Sequence, residues 1–534
     1  MLAGLLLSAG GLCAEETNPL PDLATLEAAG AVIGDIRISP LNIFDTQDAQ
    51  EDNAIFRAVN FLHIRTRPEV IRRNLLFKTG DRLSIRLIEE TERLVRTNRY
   101  IYDFRVLPVA VKDGVVDLEV VTRDTWTLNP GISFSRAGGT NSSGLSLVEL
   151  NLMGTGTRLS VSQSSTVDRS GREVYIGQDH LLDGWTSLNA SHANNSDGQR
   201  DVVAIDRPFY ASDTRWAAGL RATDDDRLDP VYAGGKIVSQ FRHHLREIET
   251  YGGHSRGLDQ GWVHRWSGGL LWRQEDYSFE PDLAAPTALP ANEKVIAPFL
   301  RHELIEEDVT KVRNRNQIGR PEYFSMGFTA KTSVYRASTR WNAGRNLWLY
   351  ETRIANGFIP RPGDSLLASV EIKGTLTDHR AEKLSTATSL TYYHPHRDSA
   401  LFFASLTADT LVRAPITEQL LLGGDNGLRG YPTRYQSGTQ RVLMTIENRF
   451  YTDWFPFRLI RVGGALFADL GRAWGGPLPD PNSDRWLGDL GIGLRFASVR
   501  AAFGNVLHVD LAFPVEPASD IKKVQLLVKT KLSY

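Results

Sequence analysis

From residue 128 onward the sequence is built from segments of roughly 9–12 residues in which apolar and polar side chains alternate. Gly, Asn, Asp and Ser separate most of these segments, and helical periodicity disappears. Because successive side chains of a β-strand point to opposite faces, residues 128–534 are predicted to form an antiparallel fold made of strands. The segment NVLHVDLAF shows the pattern, since every second residue is apolar: Leu507, Val509, Leu511 and Phe513.

Two all-β folds are open to such a region, a soluble sandwich and a transmembrane barrel. No run of about 18 apolar residues occurs in the chain, which excludes a membrane-spanning helix but leaves a barrel possible. A long series of strands with polar inner faces and an aromatic last residue favours the barrel, whose apolar face meets lipid. The final segment, VQLLVKTKLSY, has an apolar face of this kind: Val524, Leu526, Val528, Leu532 and Tyr534.

Residues 1–14, MLAGLLLSAGGLCA, form a short apolar stretch that is followed by acidic residues. This pattern is typical of a secretory signal peptide, so we expect cleavage after Ala14 and a linker over residues 15–30. Leu12 stands where a lipoprotein signal needs a small residue, which disfavours lipid attachment at Cys13. Cys13 is the single cysteine of the chain, and an exported protein without cysteine avoids stray disulfides.

Residues 31–127 have a mixed pattern that predicts a small α+β domain. The segment VIGDIRISPLNIF (32–44) is typical of a strand, and SIRLIEETERLVRTN places its apolar residues on one helical face. The segments YDFRVLPVAV and VVDLEVVT alternate on the two sides of Lys112-Asp113-Gly114, which is a strong hairpin signal.

The loop sequence LLLGGDNGLRGYP places Arg429 beside Gly430 and Tyr431. In the later segment ALFADLG, Asp469 lies on the face opposite to the apolar residues, and Glu447 lies on the polar face of the preceding strand. A guanidinium that enters the barrel from a loop can bridge such carboxylates. The alternative interpretation is that Arg429 is an ordinary solvated loop residue.

This loop sequence is followed along the chain by Glu447 and by the segments GGALFADLGRAW, GDLGIGLRF and NVLHVDLAFPV. The series resembles the outer-membrane assembly and transport superfamily, the bacterial surface antigen family that includes BamA, TamA and the two-partner secretion transporters. The resemblance implies a loop motif folded back into the barrel lumen, with Arg429 in contact with Asp469 and Glu447 nearby. It also implies that residues 31–127 are one polypeptide-transport-associated (POTRA) domain. In such a domain we expect either IRISPLNIF or VVDLEVVT to offer an exposed sheet edge to which an extended polypeptide can add. The motif residues are Leu428, Arg429, Gly430 and Tyr431.

The resemblance has two further consequences for the barrel. It implies 16 strands, whereas the alternating segments of the sequence number nearer 20. We expect 16 wall strands and interpret the surplus segments as hairpin extensions. Residues 224–363 show no family landmarks. It also implies that the last strand carries the signal by which the barrel assembly machinery recognises a new barrel, with Val528, Leu532 and Tyr534 on its apolar face.

Several other functions find no support in the sequence. The 61 basic and 63 acidic residues balance, so nothing indicates a nucleic-acid partner. His243 and His244 are adjacent in a strand and point to opposite faces, which disfavours a shared metal ion with Glu247 or His254. No nucleophile elbow, phosphate loop or zinc-binding spacing occurs, so we expect neither enzyme activity nor a cofactor.

We therefore expect a bacterial outer-membrane barrel with its N-terminal domain in the periplasm. Its expected role is to aid the insertion or translocation of polypeptides across the outer membrane, with unfolded or secreted polypeptides as clients of the POTRA domain and outer-membrane lipid around the barrel. Two alternatives stay open: a transporter dedicated to one secreted partner, and a channel or surface receptor that has no transport role.

Overall fold

A computed structural model describes residues 20–181, 184–281, 283–377, 380–476, 478–498, 506–515, 517–519 and 521–531. The predicted signal peptide and two residues of the expected C-terminal signal, Leu532 and Tyr534, lie outside these ranges. Among the described residues, no helix is long and apolar enough to cross a membrane. The elements that precede the barrel are α1 (Leu23–Ala28), β1 (Val32–Leu41), α2 (Ala54–Leu62), α3 (Pro68–Arg73), α4 (Ile85–Thr97), β2 (Ile101–Lys112) and β3 (Val115–Asp124).

These elements form an N-terminal α/β domain around a three-stranded sheet with the order β1-β3-β2. β3 runs parallel to β1 and antiparallel to β2, and the hairpin between β2 and β3 turns at Asp113 and Gly114, which both have positive φ. Helices α3 and α4 cover the sheet and bury a single apolar core, which includes Ile33, Phe104 and Leu118. The expectation that VVDLEVVT offers a free edge is wrong, because β3 is paired on both sides; the edge strands are β1 and β2.

The barrel begins directly after this domain. Its first ten strands follow one another as antiparallel neighbours, and most of them are joined by short turns that contain Gly, Asn or Asp, whereas residues 208–215 and 279–292 form longer connections. They are β4 (Leu128–Ala137), β5 (Thr140–Leu152), β6 (Thr157–Ser165), β7 (Ser170–Leu181), β8 (Thr186–Asn195), β9 (Gly198–Arg207), β10 (Trp216–Ala233), β11 (Lys236–Asp259), β12 (Trp262–Ser278) and β13 (Glu293–Glu306).

In the second half of the barrel, two short hairpins that are not part of the wall lie between consecutive wall strands. The first is β14 (Val309–Arg313) with β15 (Pro321–Ser325), and it precedes β16 (Thr329–Ala337), β17 (Leu347–Phe358), β18 (Ser365–Leu376), β19 (Ala381–Arg397) and β20 (Ala400–Val412). The second is β21 (Leu420–Leu422) with β22 (Gln436–Gly438), and it precedes β23 (Gln440–Tyr451), β24 (Ile460–Trp474), β25 (Leu487–Ser498), β26 (Val506–Val515) and β27 (Gln525–Lys531). Short 3₁₀ turns occupy Thr339–Trp341 and Pro456–Arg458.

The strands close into a barrel of twenty strands, so the transmembrane β-barrel is confirmed and the preferred number of 16 strands is wrong. The difference arises in residues 224–363, where β10 to β13, β16 and β17 are complete wall strands rather than hairpin extensions. β10 and β11, for example, pair from Trp216 opposite His254 to Ala233 opposite Lys236, with one register shift between Val231 and Tyr232. Their apolar and polar residues alternate only in part, since Asp224 to Arg227 are consecutive charged residues of β10, and the strands carry no family motif.

The wall separates an apolar outer face from a polar lumen. On β24, Leu466 and Leu470 are exposed on the outside, whereas Asp469 between them is buried inside. The same alternation continues on β25, where Leu490 is exposed and Asp489 is buried. Because exposed leucines suit lipid and poorly suit water, this arrangement is that of a membrane barrel.

The junction between the first and last barrel strands has few register pairs in the part of the chain that the structure describes. Among the described residues, β4 and β27 share one register pair, Arg136 with Val528. On its other side β27 pairs with β26, from Val506 opposite Lys531 to Ala512 opposite Gln525. We call the β4–β27 junction the seam; within the described ranges it has fewer register pairs than any other junction of the wall.

The N-terminal domain touches one end of the barrel, which we call the near end. Arg67 N–H donates to the Gly154 carbonyl over 3.0 Å, and the Arg73 guanidinium donates to the His180 carbonyl over 3.2 Å. Glu90 of α4 accepts a 2.8 Å hydrogen bond from Ser212 N–H. These contacts place α3 and α4 against the turns that join β5 to β6, β7 to β8 and β9 to β10.

Candidate lumenal site

The connection between β20 and β23, residues 413–439, starts at the far end of the barrel and folds back inside; we call it the far insertion. Its two short strands, β21 and β22, pair with each other. Its apolar side chains pack against the wall and bury Leu422, Leu428, Tyr431 and Tyr435 together with Ala473, Leu487 and Ile521. Such packing makes the far insertion a fixed part of the lumen.

Glycine allows this segment to approach the wall closely. Gly427 has φ of +112°, and a Cβ atom there would lie 2.6 Å from Leu443 Cδ2. A Cβ atom on Gly430 would lie 2.6 Å from Asp489 Cβ. Any larger residue at either position would therefore push the loop away from the wall and would misplace Arg429 between them.

The Arg429 guanidinium is the centre of a buried ionic cluster. Its Nε and Nη2 atoms donate to the two carboxylate oxygens of Asp469 over 2.7 and 3.0 Å. Its Nη1 atom donates to Glu447 over 2.8 Å and to Asp510 over 3.2 Å. The guanidinium carbon also lies 3.4 Å from the centre of the Phe467 ring. One arginine of the loop thus holds three carboxylates that come from β23, β24 and β26.

The other motif residues also contact the wall. Leu428 is fully buried, and the Gly430 N–H donates to Asp489 over 2.8 Å. The Tyr431 hydroxyl lies 3.1 Å from the Gly488 carbonyl and 3.2 Å from the Val515 carbonyl, so its single proton is shared between two acceptors. The four motif residues therefore attach the far insertion to β24, β25 and β26 through both apolar and polar contacts.

The structure brings Arg429, Asp469 and Glu447 together, and it adds two acids that sequence reasoning missed. Asp489 and Asp510 lie on the polar faces of GDLGIGLRF and NVLHVDLAF, and both are buried. Alternation could have placed them in the lumen. It could not show that they lie close to a loop residue roughly 60–80 positions earlier in the chain, because register and barrel curvature decide that proximity.

A second connection enters the lumen from the near end. It comprises residues 307–328 with the β14–β15 hairpin, and we call it the near insertion. Its turn is organised by Glu322, which accepts the Arg315 N–H over 2.8 Å and the Asn316 N–H over 2.9 Å. The Tyr393 and Tyr451 hydroxyls donate to this turn, to Asn316 Oδ1 and to the Asn314 carbonyl, each over 2.9 Å.

The two insertions are linked through the wall strand β23. Glu447 binds Arg429 through one oxygen, and its other oxygen accepts a 2.7 Å hydrogen bond from Arg449 Nε. Arg449 Nη1 then donates to the Arg315 carbonyl of the near insertion over 2.7 Å. A displacement of either insertion therefore changes the contacts of the other through Glu447 and Arg449.

The near insertion also contacts the N-terminal domain at Glu92 of α4. This carboxylate accepts hydrogen bonds from Lys311 Nζ and from the Tyr323 hydroxyl, both over 3.1 Å, and from Arg96 Nε over 2.9 Å. Burial acts to raise the pKa of Glu92, but the hydrogen bonds and charges of Lys311 and Arg96 outweigh it and lower the pKa below its usual value. Glu92 is therefore ionised at neutral pH, when it holds the near insertion against α4.

The histidines considered as metal ligands lie apart. His243 is buried, contacts Asp229 over 2.8 Å and stacks on Tyr277. His244, on the opposite face of β11, contacts Asp224 over 2.7 Å. Within the described ranges, no group of three or more His, Cys, Asp and Glu side chains is arranged to hold a metal ion.

A known protein family matches most of this chain. The model of the Omp85 superfamily domain matches residues 151–526. No curated protein matches the chain. Among solved structures, BamA from Haemophilus ducreyi lacking POTRA domains 1–3 aligns with a TM-score of 0.40 and 12% identity, over 93% of this chain and 85% of that chain.

Two structures of CdiB are similar to the same degree. CdiB from Escherichia coli aligns with a TM-score of 0.47 and 14% identity, over 94% of this chain and 76% of that chain. CdiB from Acinetobacter baumannii aligns with a TM-score of 0.42 and 13% identity, over 98% of this chain and 95% of that chain.

Proposed function

The chain belongs to the Omp85 superfamily, and we propose that it aids the insertion or translocation of polypeptides at the bacterial outer membrane. The observation that carries this proposal is a contrast within the barrel. The lumen is occupied from both ends, whereas the seam between β4 and β27 is held by the single register pair Arg136–Val528 among the described residues.

The filled lumen argues against a permanently open channel. The far insertion is fixed by the buried Arg429 cluster, and the near insertion is fixed by Tyr393, Tyr451 and Arg449. A polypeptide that crossed the lumen would have to displace buried ion pairs, which is costly because each separated charge stays away from water.

The seam offers a less costly route. Opening it separates a single register pair among the described residues and exposes the edges of β4 and β27. An exposed edge is a template for a further strand, so a client strand that adds there has its backbone groups paired before it meets lipid. This mechanism favours insertion of client strands at the seam over passage through the lumen, and it needs no nucleotide.

We infer that the N-terminal domain is a POTRA domain that lies in the periplasm and receives clients. Its edge strand β2 carries Leu107, Val109 and Val111 as exposed apolar side chains. An extended, unfolded polypeptide can add to such an edge and cover these side chains. Outer-membrane lipid surrounds the barrel. The barrel assembly machinery would insert this chain by recognising the chain's C-terminal strand, which includes Val528.

A deletion strain tests the proposed function. The outer-membrane proteome is quantified after deletion of the gene and after complementation with the wild type, with Arg429→Ala or with the control Arg340→Ala. Arg340 is an exposed arginine of the far-end turn between β16 and β17. We expect several barrel proteins to decrease, and we expect the wild type and Arg340→Ala, but not Arg429→Ala, to restore them.

The other outcomes separate the alternatives. Loss of one secreted protein, with all barrel proteins unchanged, would show a transporter dedicated to that partner. A proteome that does not change at all would overturn both transport roles and would leave a channel or surface receptor. Comparable amounts of each variant in the membrane, measured by immunoblot, are required for the comparison.

A further inference from the structure

Helix α2 of the N-terminal domain carries a cluster of large apolar side chains on its surface. Phe61 is 88% exposed, Ile55 is 73% exposed and Leu62 is 68% exposed. Ile64, which follows the helix, is exposed as well. Single exposed apolar residues are ordinary on a protein surface, but a cluster of them on one short element marks a contact with something outside the chain.

The exposed apolar residues of α2 lie on one side of the helix. At about 100° per residue they fall within an arc of about 120°. We call them the outer arc: Ala54, Ile55, Ala58, Phe61 and Leu62, all of which are exposed. The outer arc contains no charged residue, and Arg57 at its edge is paired with Asp52.

The opposite side of α2 is apolar too. Phe56 stacks on Phe44, with the ring centres 3.8 Å apart, and Val59 packs against the same pair. Asn60 fixes the rotation of the helix, because its Nδ2 atom donates to the Phe44 carbonyl over 2.9 Å and its Oδ1 atom accepts from the Phe44 N–H over 3.1 Å. Helix α4 of the same domain, by contrast, exposes charged residues such as Glu89. Since a helix with apolar residues on both sides is stable when both are covered, α2 needs a second apolar environment beyond the domain.

The inner side of α2 packs against the rim of the barrel wall. The stacked Phe pair shares its apolar cluster with Trp126 and Leu459. Trp126 precedes Leu128 by two residues, and Leu459 directly precedes Ile460. Leu128 and Ile460 are the exposed first residues of β4 and β24, in step with the outward-facing residues further along each strand. Because a strand rises about 3.3 Å per residue, the lipid-facing surface begins within about 7 Å of this cluster.

The near-end turn between β23 and β24 adds exposed aromatic residues beside α2. Trp454 and Phe457 of this turn are both exposed. Arg458 of the same turn donates to Gln50, and its Nη1 atom lies 3.8 Å from Asp48 Oδ2, in the loop that leads into α2. Aromatic residues at the ends of barrel strands are typical of the membrane–water interface. The turn therefore joins α2 to the part of the barrel that lies at this interface.

We propose that α2 is an interfacial helix whose outer arc inserts into the lipid leaflet at the near end of the barrel. Helices of this kind lie in the plane of the membrane, with their apolar face buried about 5–10 Å deep. The continuity of α2 with the lipid-facing rim of the wall favours lipid over a protein as the occupant of the outer arc. The inserted helix holds the N-terminal domain against the membrane, and this role does not depend on the transport of polypeptides.

Spin labelling of the full chain tests this placement in nanodiscs of phosphatidylethanolamine and phosphatidylglycerol. A nitroxide is attached at Ala58→Cys, in the middle of the outer arc, in a Cys13→Ser background that removes the single native cysteine. Relaxation by oxygen, which concentrates in lipid, is compared with relaxation by a water-soluble nickel chelate. The matched control is Ala110→Cys, an exposed alanine of β2 near the β2–β3 hairpin. Because β3 leads from this hairpin to the barrel, the hairpin lies roughly 30 Å from the rim.

The ratio of oxygen relaxation to nickel relaxation separates the possible surroundings of the outer arc. We expect this ratio to be severalfold higher at Ala58→Cys than at Ala110→Cys. Equal ratios at the two sites would place the outer arc in water and would overturn the proposal. Protection of the Ala58→Cys label from both reagents would also overturn it, because a site that excludes lipid and water is covered by protein.

A pair of charge variants tests whether apolar contact holds the helix in the membrane. Phe61→Glu places a carboxylate in the outer arc, and it removes little packing within the chain because Phe61 is exposed. Val115→Glu makes a similar change at an exposed apolar residue beside the β2–β3 hairpin. We expect Phe61→Glu to lower the ratio at the Ala58→Cys label severalfold and Val115→Glu to leave it unchanged. An unchanged ratio in Phe61→Glu would overturn the proposal, and circular dichroism melting shows that both variants are folded.

Discussion

The two insertions enter the same lumen from opposite ends, yet they are held there by different forces. The far insertion is fixed by Arg429, which pairs with three carboxylates, and by a buried apolar cluster. The near insertion is fixed by separate hydrogen bonds rather than by one ionic cluster, such as those from the Tyr393 and Tyr451 hydroxyls and from Arg449. The near insertion also contacts the N-terminal domain, at Glu92.

This difference indicates a division of roles. An ionic cluster built wholly from the barrel and its own loop holds the far insertion whatever the N-terminal domain does. The near insertion can respond to the N-terminal domain, because Lys311 and Tyr323 join it to α4. The two insertions are linked through Glu447 and Arg449, so the wall strand β23 is the element that both of them contact.

The largest effect is expected from Arg429→Ala. It removes the one cation that joins Asp469, Glu447 and Asp510, and it leaves buried carboxylates with fewer partners, at a cost of about 3–5 kcal/mol in the free energy of unfolding. Urea titration in lipid vesicles measures this change, with Arg340→Ala as the control. A loss equal to that of the control would mean that the far insertion is held by apolar packing alone.

Glu322→Ala tests the near insertion in the same way. Two backbone N–H groups lose their acceptor, so we expect about 1–3 kcal/mol of local destabilisation. Hydrogen exchange should rise in residues 314–320 and should stay unchanged in residues 421–438. Equal exchange in both segments would show that the two insertions open as a single unit.

A double-mutant cycle sharpens the comparison by measuring the link between the insertions. Arg429→Ala and Arg449→Ala remove the two arginines that share Glu447, so we expect their effects on unfolding to depart from additivity by roughly 0.5–3 kcal/mol. Strict additivity would contradict a coupling through Glu447, and the insertions would then be independent.

The smallest effect is expected at the contact with the N-terminal domain. Glu92→Gln weakens a partly exposed ion pair, so we expect less than about 1 kcal/mol. Because the folded state lowers the pKa of Glu92, its contribution is present above the unfolded value of about 4.3 and is lost as the pH falls through the lower folded value. Hydrogen exchange at residues 309–325 should therefore rise in the wild type as the pH falls below about 4.3, and it should rise less in Glu92→Gln. If the difference in exchange between the wild type and Glu92→Gln did not change with pH, the assignment to Glu92 would be contradicted.

The two insertions also differ in how far the sequence predicts them. Alternation placed Asp469 and Glu447 on the lumenal face, and the family resemblance pointed to Arg429, which the structure brings to both. The near insertion was missed, because VTKVR and PEYFS are short polar segments that look like an ordinary strand hairpin. Their position inside the lumen depends on single contacts with distant strands, such as Tyr451 with Asn314.

The strand number was missed for a related reason. Alternation in residues 224–363 is interrupted by runs of polar residues such as Asp224 to Arg227, and it does not show whether a strand spans the wall. Barrel closure is a property of all strands together, and the pairing of Arg136 with Val528 joins residues almost 400 positions apart. Such long-range registers leave no local signature in the sequence.

The seam is the centre of the proposed mechanism, and a reversible crosslink tests it most directly. Arg136→Cys with Val528→Cys places two thiols on directly opposed residues, within reach of a disulfide. The native Cys13 lies in the predicted signal peptide, so cleavage there would leave these thiols alone. Leu511→Cys with Leu526→Cys makes the same crosslink between β26 and β27, where the wall is already closed.

The measurement is the rate at which barrel proteins assemble in the deletion strain that carries each pair, with and without reductant. We expect the oxidised seam crosslink to stop assembly, reduction to restore it, and the β26–β27 crosslink to have no effect. Undiminished assembly with a fully oxidised seam would contradict insertion between β4 and β27.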